Sequence, residues 1–280
     1  MTPTGEAESL NQRIRNAAAR EGVPPIRLRN RVAFQRLLAR LALADGWVLK
    51  GGFSLEVRLG LIARATKDLD LLHLAPAPGS ALDLQDLLDA ALETELDDGF
   101  AFRVRLPTPV GLEEAEPSTW RAIVDVRFDG SAFGTIAIDI VPTTAIETLT
   151  SEVLRIDSEV VGDPFDIAAL DVHRHMAEKF HAYARIYAYE RPSSRVKDLV
   201  DIVLLAQSGL IDDARLNAAL LEVFAERDTA LPGQLPAPPG DWRQSFAALA
   251  EGTGSEVTDL GDARQIATEL YDRARAHESE

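Results

Sequence analysis

Two aspartates two residues apart, in Lys67-Asp68-Leu69-Asp70, follow the run Lys50-Gly51-Gly52-Phe53-Ser54-Leu55 by about a dozen residues. Side chains alternate along a strand, so Asp68 and Asp70 project from one face and make a mount for hard, oxygen-seeking cations such as Mg²⁺. Glycines at a strand-to-helix turn let the backbone approach a phosphate closely, and the helix start offers unpaired N–H groups. Lys50, Gly51, Gly52, Ser54 and Lys67 therefore form a candidate phosphate cradle, to which Lys197 is added from further along the chain. Arg64 and Lys67 either hold phosphates or neutralise Asp68 and Asp70. Two metal ions held by shared carboxylates serve in-line displacement at phosphorus, and such a site usually has a third carboxylate. Asp139, in Ile138-Asp139-Ile140, is the best candidate because an ionised group in an apolar strand demands compensation; Asp125 is its rival.

The elements that must position these groups follow from the pattern of apolar residues. Helices are expected at about 6 to 20 and 29 to 45, then a strand at Trp47-Val48-Leu49, the glycine turn and a further helix. A strand at Asp68 to Leu72 and a helix at Leu82 to Leu96 come next. Stretches at Phe100 to Leu106, Arg121 to Phe128 and Thr135 to Val141 read as an antiparallel extension of the same sheet, with Asp129-Gly130 as a turn. After about residue 165 the strand signals stop, and helices are expected at 169 to 189, 194 to 207, 212 to 226 and 262 to 277. The Pro- and Gly-rich stretch 229 to 241 reads as a loop.

Apolar residues make up 46% of the 280, enough for a sizeable core, and there is no cysteine, so disulfides and thiolate zinc sites are excluded. Neither a signal peptide nor an apolar run of about 18 residues is seen, which points to a cytoplasmic protein with no membrane partner. Net charge is −16 and argues against non-specific coating of nucleic acid. Residues 1 to 50 nevertheless carry a net +5, so any basic face is expected in the Arg-rich segment 13 to 40. His173, His175 and His181 are poor candidates for a shared metal, because His173 and His175 do not lie on one helical face.

The glycine turn, its spacing to Asp-x-Asp and the later strand aspartate resemble the signature of the DNA polymerase β-like nucleotidyltransferases. More closely, the chain resembles the AbiEii/AbiGii toxin family of type IV toxin-antitoxin systems. That match rests on Lys50-Gly-Gly-Phe-Ser-Leu, Arg64-Ala-Thr-Lys-Asp68-Leu-Asp70-Leu, Ile138-Asp139-Ile, Ala177-Glu178-Lys179-Phe-His-Ala and Arg195-Val-Lys197-Asp198-Leu-Val-Asp201. The resemblance implies an α/β (α+β) protein: a mixed-sheet nucleotidyltransferase domain with N-terminal helices over 1–165, a helical domain over 166–280, and a cleft between them. It also implies functional roles for Lys179 and for Asp198 or Asp201. The implied reaction moves NMP from an NTP, with Mg²⁺ on Asp68, Asp70 and Asp139 and release of pyrophosphate, onto the 3′ end of tRNA. A cognate antitoxin is the implied partner. A protein hydroxyl as acceptor, or a nucleotide- or antitoxin-binding module without turnover, are the alternatives.

Overall fold

The computed structural model describes residues 5–110, 119–144, 149–158, 160–187, 191–192 and 195–277. The chain divides into two compact units: Met1–Val57 with Thr66–Ala169, and Arg58–Ala65 with Leu170–Glu280. The short segment Arg58–Ala65 thus leaves the first unit, where the sequence reading had it. Its anchors are local: Arg58 Nη2 donates to the Leu170 carbonyl at 2.6 Å, and the Ile62 carbonyl accepts from the Gly254 N–H at 2.9 Å.

Unit 1 opens with α1 (Gly5–Glu21) and α2 (Pro25–Leu41), followed by β1 (Trp47–Lys50), α3 (Gly51–Leu59), β2 (Asp68–His73) and α4 (Ala81–Leu92). Then come β3 (Phe100–Val104), β4 (Thr108–Val110), β5 (Thr119–Phe128), β6 (Ser131–Pro142), β7 (Ser151–Ile156) and β8 (Phe165–Leu170). The strands form one sheet in the order β3-β5-β6-β2-β1-β8-β7, with β4 also paired to β5. β2 runs parallel to β6 and β1 parallel to β8, while β1–β2, β3–β5 and β5–β6 are antiparallel. One face of this mixed sheet is apolar: Leu49, Leu69, Leu71, Ala122, Val124, Ile136, Ile138 and Ile140 are buried in a core shared with α1, α2 and α4. The polar positions alternating with them point the other way.

Three differences from the sequence expectation have physical reasons. α2 begins at Pro25 rather than near residue 29, because proline is favoured in the first helical turn, where its missing N–H has no partner to lose. β7, with alternating burial in Ser-Glu-Val-Leu-Arg-Ile, and the short, fully exposed β4 are edge elements with little apolar signal. Strand structure also continues past residue 165: β8 joins the sheet beside β1, a pairing between residues far apart in sequence that local periodicity does not carry.

Unit 2 contains α5 (Val172–Ala184), the two-stranded hairpin β9 (Ile186–Tyr187) and β10 (Arg191–Pro192), then α6 (Val196–Gln207), α7 (Asp213–Glu226), α8 (Trp242–Glu251) and α9 (Leu260–Ala276). α8 follows the Pro- and Gly-rich loop and has no counterpart among the helices expected from the sequence. Its core holds Met176, Phe180, Leu199, Val203, Leu220, Phe246 and Tyr271, with the Phe180 and Tyr271 rings 5.4 Å apart. Aspartates cap three of these helices: Asp171 accepts from the His173 and Arg174 N–H groups, Asp212 from Arg215, and Asp259 from Gly261 and Asp262. A carboxylate at that position satisfies orphan donors and the positive end of the helix dipole, so part of the acidity is structural.

Candidate active site

In unit 1 the register brings the candidate residues into a row across the sheet. Asp70 on β2 pairs with Lys50 on β1 and with Asp139 on β6, and Asp139 pairs in turn with Arg121 on β5. Directly paired residues share a face, so Lys50, Asp70, Asp139 and Arg121 point to the open side, together with Asp68. All five are half-buried, in contrast to the buried apolar face behind them. Between Asp139 and Asp125 the register discriminates. Asp139 stands next to Asp70, whereas Asp125 pairs with Thr135 further along β6 and binds Arg105 at 2.5 and 2.9 Å.

The glycine turn serves this row directly. Gly51 adopts φ +66°, and a Cβ placed on it would fall 1.9 Å from Asp70 Oδ2. Both the left-handed backbone and the close approach of the carboxylate exclude a side chain here. β1 therefore passes into α3 without an intervening loop, and the N-terminus of α3 lies beside Asp70. Gly52 is buried in the same turn. Ser54 is fully buried and its hydroxyl donates to the Gly51 carbonyl at 2.9 Å, so it braces the turn from inside. Lys67 is exposed just ahead of β2, and Thr66 donates to the Asp68 carbonyl.

The feature that sequence reasoning missed is Arg121. Its guanidinium forks onto Asp139, Nε to Oδ1 and Nη2 to Oδ2, both at 2.7 Å, and Nη2 lies 4.0 Å from Asp68 Oδ2. Only the strand register pairs these residues, so no local motif announces them. As the side chains stand, no three His, Cys, Asp or Glu among the described residues are gathered into a metal site. The donor chemistry fits Mg²⁺, since the oxygens of Asp68 and Asp70 share a face with Asp139 adjacent. Both Asp139 oxygens, however, are held by a cation the protein supplies itself.

In unit 2 the charged candidates are buried instead. Lys179 on α5 places its Nζ 2.7 Å from Asp201 Oδ2 and 3.3 Å from Asp198 Oδ1, both on α6. Arg64 forks onto Asp201 at 2.9 and 3.1 Å, and Arg195 Nε lies 2.8 Å from Asp198 Oδ2. Burial works against the charges of Lys179 and Asp201, yet their opposing partners prevail. Asp201 is held below the usual carboxylate range by Lys179 and Arg64, and Lys179 above the usual amine range by Asp201 and Asp198. Arg64, expected next to Asp68 and Asp70 or on a phosphate, is thus a partner of Asp201. Lys197 is exposed and stands outside the network.

The Arg-rich segment divides: Arg13, Arg15 and Arg20 on α1 are exposed, whereas the arginines of α2 are occupied within unit 1. Arg36 and Arg40 are buried on Asp98, which Arg40 grips at 2.8 and 3.0 Å. Arg27 and Arg31 meet Glu56, and Arg29 donates to the Phe133 carbonyl. The histidines are likewise structural: His173 packs on Asp171 and accepts from the Asp212 N–H, while His181 meets Thr229 and Arg227.

A family model described as nucleotidyl transferase AbiEii toxin, type IV TA system, matches residues 33–271. Among solved structures, a proposed nucleotidyltransferase from H. pylori is similar at 15% identity, covering 89% of this chain and 98% of that one, with a TM-score of 0.46. An antigenic nucleotidyltransferase-like protein from Paracoccidioides brasiliensis is similar at 14% identity, covering 69% and 86%, with a TM-score of 0.38. No curated protein matches the chain.

Proposed function

The chain belongs to the nucleotidyl transferase AbiEii toxin family of type IV TA systems, and we propose that this nucleotidyltransferase moves NMP from an NTP onto the 3′ end of tRNA in the cytoplasm. Membership implies an NTP substrate and an antitoxin partner; no described helix is long and apolar enough to cross a membrane. The observation that carries the chemistry is the row Lys50, Asp70, Asp139 and Arg121 beside Asp68, built against a glycine turn at a helix start.

Asp68 and Asp70 would hold Mg²⁺, with Asp139 as third ligand. When bound, the metal supplies activation of the acceptor hydroxyl and stabilisation of the departing pyrophosphate. The N-terminal N–H groups of α3 and the ammonium of Lys50 receive phosphate oxygens, with Lys67 close by in sequence. Arg121 orients Asp139 and neutralises it when no other cation does. Lys179, Asp198 and Asp201, for which the family resemblance implies functional roles, act within unit 2 as a buried ionic cluster that holds α5 on α6.

The test incubates the protein with total tRNA, Mg²⁺ and each α-³²P-labelled NTP in turn, beside Asp70→Ala. Label on tRNA that is absent from the variant supports the reading. Label on protein instead would move the acceptor to a protein hydroxyl, which the net charge of −16 would suit. Mg²⁺-dependent NTP binding without pyrophosphate release would leave a binding module.

A further inference from the structure

The open face of the sheet does not end at the aspartates. Arg121 and Asp139 lie in one row, and towards the β3 edge the same face carries Arg105, Arg103 and Arg127. The register puts them there: Arg103 pairs with Asp125 and Ala101 with Arg127, and the Arg105 N–H continues the ladder onto the Ile123 carbonyl. Arg121, Ile123, Asp125 and Arg127 alternate along β5 and share that side. Arg103, Arg105 and Arg127 are exposed, as are Ala101, Ala132 and Thr135 between them. Arg103, Arg127, Asp125 and Thr135 line a shallow hollow of about 430 Å³. The arginines outnumber the one acid among them, Asp125, whose carboxyl is held below its usual range first by the Arg105 hydrogen bond and then by the charges of Arg105, Arg103 and Arg127.

Resting on the reading of an RNA acceptor, we propose that this arginine strip on β3 and β5 is the track along which the acceptor's phosphodiester backbone lies as it approaches Asp68 and Asp70. From Arg121 to Arg127 is six residues of strand, about 20 Å at roughly 3.3 Å each. That length accommodates a few successive phosphates of one strand. The strip also answers how a chain of net charge −16 meets RNA. The arginines of α2 are occupied within unit 1, whereas the charge on this face is exposed and adjoins the aspartate row. Arginine forks suit phosphate oxygens, and a sheet face offering charge but little hydrogen-bond selectivity suits backbone contact over base reading.

The test measures binding of fluorescein-labelled total tRNA by anisotropy across a salt series without NTP, alongside transfer of label from the NTP. Arg103→Gln with Arg127→Gln is expected to weaken binding about tenfold at low salt. The same pair should flatten the slope of log affinity against log salt by about 1.4 to 1.8, two contacts at roughly 0.7 to 0.9 each. Asp125→Asn, which removes the one acid, is expected to tighten binding about threefold. Arg15→Gln with Arg20→Gln, exposed on α1, should leave both readings unchanged. If the wild type labels tRNA but the α1 pair carries the loss and the β3–β5 pair does not, the track is elsewhere and the acceptor reading survives. If the wild type neither binds nor labels tRNA, the acceptor reading falls and the track with it.

Discussion

The two units use the same ingredients, aspartates gripped by arginine and lysine, in opposite surroundings. In unit 1 the row at Asp68, Asp70 and Asp139 faces outward: the Asp68 side chain is 46% exposed and that of Arg121 43%. In unit 2 the side chains of Lys179, Asp198 and Asp201 are 7%, 4% and 1% exposed. An exposed pair is worth little and exchanges readily, because water and ions replace either partner. A buried pair is held by the expense of leaving one charge alone, about 3–5 kcal/mol on removal of a partner. The first arrangement suits groups that must change partners during a reaction. The second suits groups whose charge and position must stay fixed.

Asp70→Ala should therefore reduce nucleotide transfer by about 10³-fold, the scale lost when a central transition-state contact is removed. Its melting temperature should move by no more than a few degrees, since no buried charge is left behind. Parallel transfer assays and thermal melts check this, and a collapse in stability would show the row to be structural. Lys179→Met inverts the pattern, costing about 3–5 kcal/mol in denaturant unfolding by leaving Asp198 and Asp201 buried without their shared cation. A full-stability variant that has lost only activity would break the contrast. The pH dependence sharpens it. Asp201 titrates below its unfolded value, so its contribution is present above about pH 4 and lost as pH falls; Lys179 titrates above its own, so its contribution holds up to about pH 10 and is lost as pH rises further. The deficit of Lys179→Met should accordingly shrink in acid.

Gly51→Ala tests the contact between turn and carboxylate. Its Cβ has no room beside Asp70 Oδ2, and φ +66° disfavours alanine. A destabilisation of about 1–3 kcal/mol is expected, with transfer falling further than stability accounts for because Asp70 must shift. Denaturant midpoints compared with transfer rates separate the two effects.

How much of this the sequence disclosed depended on how local the determinant was. Asp68 and Asp70 on one strand, the glycine turn and the stripes of α5 and α6 are written within a dozen residues each, and periodicity suffices for them. The partners of those groups are not. Arg121 meets Asp139 only through the antiparallel register of β5 and β6, and Arg64 reaches Asp201 across 137 positions. The arginines of α2 look like a solvated basic face from composition, yet Arg36 and Arg40 turn inward because Asp98 waits there, and that too is a long-range fact. β8 was lost for the same reason, its neighbour β1 lying more than a hundred residues earlier. Sequence thus disclosed which groups could react and left unread which charges hold them.

The smallest expected effect concerns Arg121. Exposed as it is, Arg121→Gln should change folding stability by no more than about 1 kcal/mol, which a denaturant titration would register. Its consequence for cations should be larger. With the fork gone, both Asp139 oxygens become available, and Mn²⁺ binding, followed by electron paramagnetic resonance in the absence of NTP, should tighten several-fold. Asp139→Asn should weaken it, and combining the two substitutions should abolish the gain, because the gain acts through that carboxylate alone. Were Arg121→Gln to bind Mn²⁺ more weakly than the wild type, the fork would be holding Asp139 in place for the metal rather than competing with it. Arg121 would then belong with the fixed, positioning charges of unit 2 and not with the exchangeable ones of its own row.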